Sequence, residues 1–399
     1  MNKAGRFFFF LMLSVNSLAL SGCWDNTELN KTSLITGVAL EPGHNGKLRL
    51  TIETMIAGQL NEKKESVPSV VQSMEGNTLA EIVTRFNESL DRNLLISHVG
   101  VIIVDERLAR QGLSSILDPL QRTRYIREDV LVLVSEGVHA SQILKVLYPR
   151  GAQTSSKIVS QVESYRESWG GIPESRLYDV SQAILADGRE LTLGSISLKG
   201  PFKDANSLES IKSVTPKASV ILSGAGVFSG DKLLGFITLE ESRMVLMARN
   251  QVEGTNLSIP GHRQDLTVRL LGIKSDIQAF MDKGKLKLQI NLEGNGLIGS
   301  VDESIDITKV SGYEQVEKLG SEYLEEQMTS TIQSIQKRFG VDVCGFGEQM
   351  YRKRYKQFLP LASRWNELFA NTPVTVKAKI NLRRSELKTN HIKNEGIGP

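Results

Sequence analysis

The opening 23 residues constrain this chain more tightly than any other stretch. Lys3 and Arg6 make a short positive region, and Phe7 to Leu20 follows as an apolar run of 14 residues, softened by Ser14, Asn16 and Ser17. As a helix at ~1.5 Å per residue that run reaches about 21 Å, short of the ~30 Å hydrocarbon core of a bilayer. It reads as a secretory signal rather than a permanent span. Directly behind it stands Leu20-Ser21-Gly22-Cys23, a lipobox. Small residues give a peptidase access to the Gly22–Cys23 bond, and the Cys23 thiol accepts a diacylglyceryl group before cleavage. Two or more acyl chains hold a protein stably at a membrane where one does not. The sequence therefore predicts a signal peptide over 1–22, cleavage between Gly22 and Cys23, lipidation at Cys23, and an extracytoplasmic body. No later segment approaches 18 uninterrupted apolar residues.

Loss of Lys3 and Arg6 takes the 48 Lys and Arg down to 46, against 45 Asp and Glu. A neutral body without a concentrated basic stripe is a poor nucleic-acid binder, because phosphate neutralisation drives that binding. At 399 residues and 40% hydrophobic the chain has room for two or three domains with real cores. Two cysteines supply no disulfide framework. With Cys23 acylated, Cys344 has no intrachain partner, and its Val343-Cys344-Gly345-Phe346 setting suits a small buried hydrophobe.

Periodicity organises the body. Leu34–Leu40 reads as strand, Pro42 to Gly46 as turn, and Leu48, Leu50 and Ile52 alternate with polar residues to complete a hairpin. Thr78-x-x-Glu81 is a capping box opening a helix. Val99–Val104 and Val130–Val134 are buried strands; helices follow around 108–120 and 140–147, then over 156–168 and 173–186, and 191–198 returns as strand. Residues 201–217 are polar and carry two prolines, which predicts a linker between a 23–200 α/β domain and a strand-rich 218–310 domain. Beyond it come strands near 220–228 and 233–239, a helix over 240–249 and clean alternations at 266–270 and 285–292. A third domain over 311–385 has a long helix from about Tyr313 to Phe339, a bent helical region around Pro360 and a last strand from Val374; 386–399 reads as a tail. The class is α+β.

Catalytic chemistry leaves little trace. The five histidines, His44, His98, His139, His262 and His391, are scattered without metal-ligand spacing; His98, at the start of a strand, reads as a packed or capping residue. Gly224-Ala225-Gly226 superficially resembles a dinucleotide loop, but strands rather than a helix flank it. Arg352-Lys353-Arg354-Tyr355-Lys356 is the strongest basic cluster. It reads as a solvated helix face, with contact to anionic lipid or an acidic partner as the sharper reading. No catalytic, cofactor or metal constellation is found.

Several stretches together resemble the Ger(x)C family, the lipoprotein C subunits of spore germinant receptors. They begin with Cys23-Trp24-Asp25-x-x-Glu28-Leu29 and continue with Ser97-His98-Val99 and the Glu106, Ala109, Gly112 pattern. Gly224-x-Gly226-Val227-Phe228, Glu240-Glu241-Ser242-Arg243, Asp342-Val343-Cys344-Gly345-Phe346-Gly347, Trp365-Asn366-Glu367-Leu368-Phe369 and Pro373-Val374-x-Val376 complete the series. Two departures are Cys344, where the family is usually apolar, and Ser385, where a Gly often follows the arginines. The resemblance implies an elongated, non-enzymatic protein of about three mixed α/β domains. It implies a place on the outer face of the spore inner membrane, and two integral-membrane partners of A and B types. Only Cys23 carries over as a site, and no direct small-molecule ligand is expected. The alternative is a solute-binding lipoprotein of a transporter, which has a lipobox and α/β lobes as well but needs a ligand pocket between them. An extracytoplasmic hydrolase is the third, disfavoured by the missing motifs.

Overall fold

The computed structural model describes residues 32–56, 69–90, 92–122, 126–148, 153–207, 215–261, 265–302 and 304–385. Its first strands, β1 (Thr32–Pro42) and β2 (Leu48–Ile56), form the expected hairpin, and β3 (Val70–Gly76) pairs on the far side of β2. Thr78 caps α1 (Leu79–Arg85), its hydroxyl accepting from the Glu81 amide. After the short β4 (Asn93–Leu95), β5 (Val101–Val104) lies parallel to β1.

The helix expected over 108–120 is two, α2 (Glu106–Gln111) and α3 (Ser114–Arg122). Gly112, at φ +130°, makes the break. Asp231 from a later turn fills that break, accepting from the Ser114 amide at 3.0 Å. Next come β6 (Leu131–Ser135), α4 (Ala140–Leu144), α5 (Thr154–Ser168), α6 (Leu177–Leu185) and β7 (Thr192–Lys199). Both faces of the central parallel strands are covered, as such strands require. Ile102, Val104, Val132 and Val134 pack with α1, α2, α3 and α6, while Val101, Ile103, Leu131 and Leu133 pack with α4 and α5. His98 is exposed in a turn before β5, beside Ser97, and not packed as expected.

Two carboxylates on this sheet are buried. Glu53 accepts from the Thr154 and Ser155 amides at the start of α5, at 3.0 and 2.8 Å. Glu41 accepts from the Ser141 amide and hydroxyl in the first turn of α4, at 3.3 and 3.0 Å. Free N–H groups at helix starts are what a carboxylate suits best.

On either side of the expected 201–217 linker the strands belong to one sheet. After the one-turn α7 (Phe202–Ala205), β8 (Ser219–Ser229) pairs antiparallel with β7, and β9 (Lys232–Ile237) pairs with β8. The order among the described residues is β3-β2-β1-β5-β6-β7-β8-β9, with β4 beside β1.

Helix α8 (Leu239–Ala248), opened by a full capping box of Thr238 and Glu241, leads into the second sheet. That sheet has the order β10 (Gly254–Ile259), β11 (Leu266–Asp282), β12 (Lys285–Ser300) and β13 (Val374–Ser385). Between β12 and β13 run α9 (Val310–Arg338), α10 (Phe346–Lys353), α11 (Tyr355–Phe358) and α12 (Trp365–Asn371). Because β13 pairs parallel to β12, the boundary expected at 310 falls inside one hydrogen-bonded sheet. One core spans α8, this sheet and its helices, and takes in Ala225, Val227 and Ile237 of the first sheet.

β13 is an edge strand, yet three of its outward amides are paired. Ala378, Ile380 and Leu382 donate to Glu325, Ser321 and Glu317 of α9, at 2.8, 3.0 and 2.7 Å. Positions 317, 321 and 325 are successive turns of one helix face, so their spacing meets every second residue of the strand. At β9, Arg110 donates to the Leu234 carbonyl and Arg338 to that of Phe236. Among the described residues no helix is long and apolar enough to cross a membrane.

Candidate functional site

Cys23 and Gly22 lie outside the described residues, as do His262 and His391. Within them, a buried polar network lies where the two sheets meet, built on Asp342-Val343-Cys344-Gly345-Phe346-Gly347. Asp342 is fully buried. Its Oδ1 accepts from the Cys344 and Gly345 amides at 3.1 and 2.8 Å; its Oδ2 accepts from the Gly347 amide and Trp365 Nε1, both at 2.9 Å. Burial pushes its carboxyl up to about 6, against the pull of those four donors toward the charged form. Gly345, at φ +87°, turns the chain so that successive amides face one acceptor.

The loop before β7 plugs into this turn from the first sheet. The Glu190 amide donates to the Asp342 carbonyl and the Glu348 amide to the Gly188 carbonyl, both at 2.9 Å. Glu190 accepts from Asn366 Nδ2 at 2.7 Å and from the Gly230 amide at 2.6 Å, and Arg189 pairs with Glu348 at 2.8 Å. Gly188, at φ +78°, sits so close that a Cβ there would lie 2.5 Å from the Gly347 carbonyl carbon. Asp187-Gly188 was visible in the sequence only as the end of a helix; nothing local marks it as one half of a joint.

This network holds two sheets together; it contains no poised nucleophile. Cys344 is buried, and burial pushes its thiol well above the usual range, keeping it protonated. The basic cluster is largely engaged: Arg352 pairs with Glu348, Lys353 with Asp276, and Arg354 bonds the Ala279 carbonyl while lying over the Phe280 ring. Glu41, Asp105 and His139 come together closely enough to suggest a metal site. Arginines fill it instead: Arg49 pairs with Glu41 at 3.2 Å, and Arg107 with Asp105 at 2.8 Å and with the His139 ring nitrogen at 2.6 Å. The Gly224 segment is strand, as expected; a Cβ on Gly224, at φ +136°, would meet the Ile237 carbonyl oxygen at 2.0 Å.

Two family models match the chain in order: the spore germination protein N-terminal domain over residues 25–198, and the spore germination B3/GerAC-like C-terminal domain over 223–386. Spore germination protein KC of Bacillus subtilis (strain 168) is 24% identical over 96% of this chain and 97% of its own length. Spore germination protein GerQC of Bacillus cereus is 23% identical over 95% and 98%. The crystal structure of the GerBC protein superposes with a TM-score of 0.56 at 15% identity, over 87% of this chain and 96% of that one, which shows the shared fold. Matched along nearly its whole length by proteins of one kind, the chain belongs to the Ger(x)C family of spore germination proteins.

Proposed function

We propose that this protein is the lipid-anchored, non-catalytic C subunit of a spore germinant receptor. On this reading it is tethered by Cys23 to the outer face of the spore inner membrane, where it works with two integral-membrane subunits of A and B types. The observation that carries the reading is the end-to-end match to spore germination protein KC. The lipobox at Leu20–Cys23 supports the anchor, and the spent polar network at the sheet junction supports a scaffolding or coupling role over catalysis.

Co-purification of the tagged, lipidated protein from gently solubilised spore membranes tests the assembly. Two multi-spanning receptor-type subunits are the expected partners; a transport permease with its ATPase would overturn the reading in favour of a solute-binding lipoprotein. Cys23→Ala tests the anchor separately. The variant should remain unprocessed or leave the membrane, and processed, membrane-bound C23A would refute lipidation at this residue.

A further inference from the structure

Two arginines, one within α8 and one just past its end, are placed in opposite ways. The buried Arg243 guanidinium lies 3.7 Å from the centroid of the Trp169 ring and donates to the Asn256 carbonyl at 3.0 Å and the Thr255 hydroxyl at 3.3 Å. An aromatic face and a strand carbonyl take up its charge. Arg249, just past the helix end, is half-buried and makes one side-chain hydrogen bond, Nη1 to Thr192 Oγ1 at 3.0 Å. Among the described residues no carboxylate stands within ion-pair distance of it. Burial, with Arg189 close by, draws its guanidinium down to about 10 against the pull of Glu348 and Asp342. An arginine carries five N–H donors in a planar fork, so most of this one's have no protein acceptor.

What Arg249 faces is open space. Two neighbouring cavities, of about 340 and 400 Å³, share Arg189, Arg249, Asn250 and Gln251 in their walls. The other charges around them are largely committed. Arg189 and Arg352 share Glu348, Arg166 pairs with Glu174 at 2.9 Å and Lys353 with Asp276 at 3.4 Å; Asp179 accepts from the Arg176 amide, Asp342 is bound by its four donors, and Glu253 is solvent-exposed.

We propose that this cavity binds a small organic monocarboxylate, its carboxylate seated on the Arg249 guanidinium and its body in the space between the two sheets. The planar fork of Arg249 matches two carboxylate oxygens side by side. Thr192 belongs to the first sheet and Asn250 to the approach to the second, where its Oδ1 accepts from the Ser275 amide of β11 at 3.1 Å. A bound carboxylate therefore touches both halves of the molecule. This goes beyond the receptor-subunit reading and does not depend on it.

The test is the unfolding midpoint of the full lipidated chain in detergent micelles, titrated with sodium benzoate against sodium chloride at matched ionic strength. Benzoate should raise the midpoint saturably, and Arg249→Met should weaken that response at least about tenfold. The unliganded variant should be no less stable than the parent, because a half-buried charge without a partner has been removed. Equal effects of chloride and benzoate would reduce the site to general salt screening and overturn it. A response to sodium phosphate without one to benzoate would overturn the assignment to a carboxylate. If R249M fails to fold, R249K keeps the charge without the fork; undiminished benzoate binding by R249K refutes the seating on Arg249.

Discussion

In the first sheet, strands carry the carboxylates that cap helices: Glu41 and Glu53 reach the opening turns of α4 and α5. In the second the direction is reversed, and a helix carries the carboxylates that cap a strand, Glu317 and Glu325 reaching the edge of β13. Asp342, between them, uses the same chemistry within a loop. The difference teaches where each half is vulnerable. A parallel sheet buried on both faces must satisfy helix ends deep inside the protein, whereas a sheet built on a long hairpin leaves an outer edge to protect.

The sharpest way to break the comparison is at its midpoint. Both Asp342 oxygens accept two N–H groups, so either orientation of an amide in Asp342→Asn sets an NH2 against two donors. A loss of about 3–5 kcal/mol is expected in urea unfolding; a loss below about 1 kcal/mol would show that the junction holds the halves together by other means. The pH dependence comes next. Because burial lifts Asp342 from 3.8 to about 6, the native state holds its proton more tightly than the unfolded state. Its contribution is complete below the unfolded value and is lost as pH rises through about 6, on the order of 2–3 kcal/mol. D342N should flatten that part of the stability profile, and an unchanged slope would assign it to other groups.

Glu53→Gln sharpens the contrast on one side. It should cost about 2 kcal/mol and speed hydrogen exchange at the start of α5, leaving β13 protected. On the other side, Glu317→Ala with Glu325→Ala should cost only about 1 kcal/mol per site. The Ala378 and Leu382 amides should then exchange at least about tenfold faster while α5 does not change. If either change loosens both sheets equally, the halves are one cooperative unit and the contrast has no energetic meaning.

Where burial followed a regular period, the fold could be read from the chain. Val101–Val104, Leu131–Ser135, the α9 helix and the final strand all stand close to where hydrophobic spacing puts them. What escaped was non-local. β3 is a half-exposed strand on the outer edge of its sheet, and its Gln72, Ser73 and Glu75 dilute any alternation. β11 continues through Gly272 to Asp282 because β12 pairs with it, not because its own residues demand it. The run from Lys199 to Lys217, read as a boundary from its composition, falls between the two family matches, which end at 198 and resume at 223, while β7 and β8 on either side of it pair in one sheet. At the junction, Asp342 stood out as part of a motif, but four donors converging on one carboxylate come from residues up to Trp365, with no period to reveal them. Arg249 gave no local signal, since its distinction is that no carboxylate among the described residues pairs with it.

The capped edge of β13 also limits how this protein meets its neighbours. A partner that docked by adding a strand there would have to displace Glu325, Ser321 and Glu317 together, trading charge-assisted bonds for ordinary backbone ones. Strand addition along Ala378–Leu382 is thereby disfavoured, and the inner row of α9 is already engaged in keeping the sheet from growing.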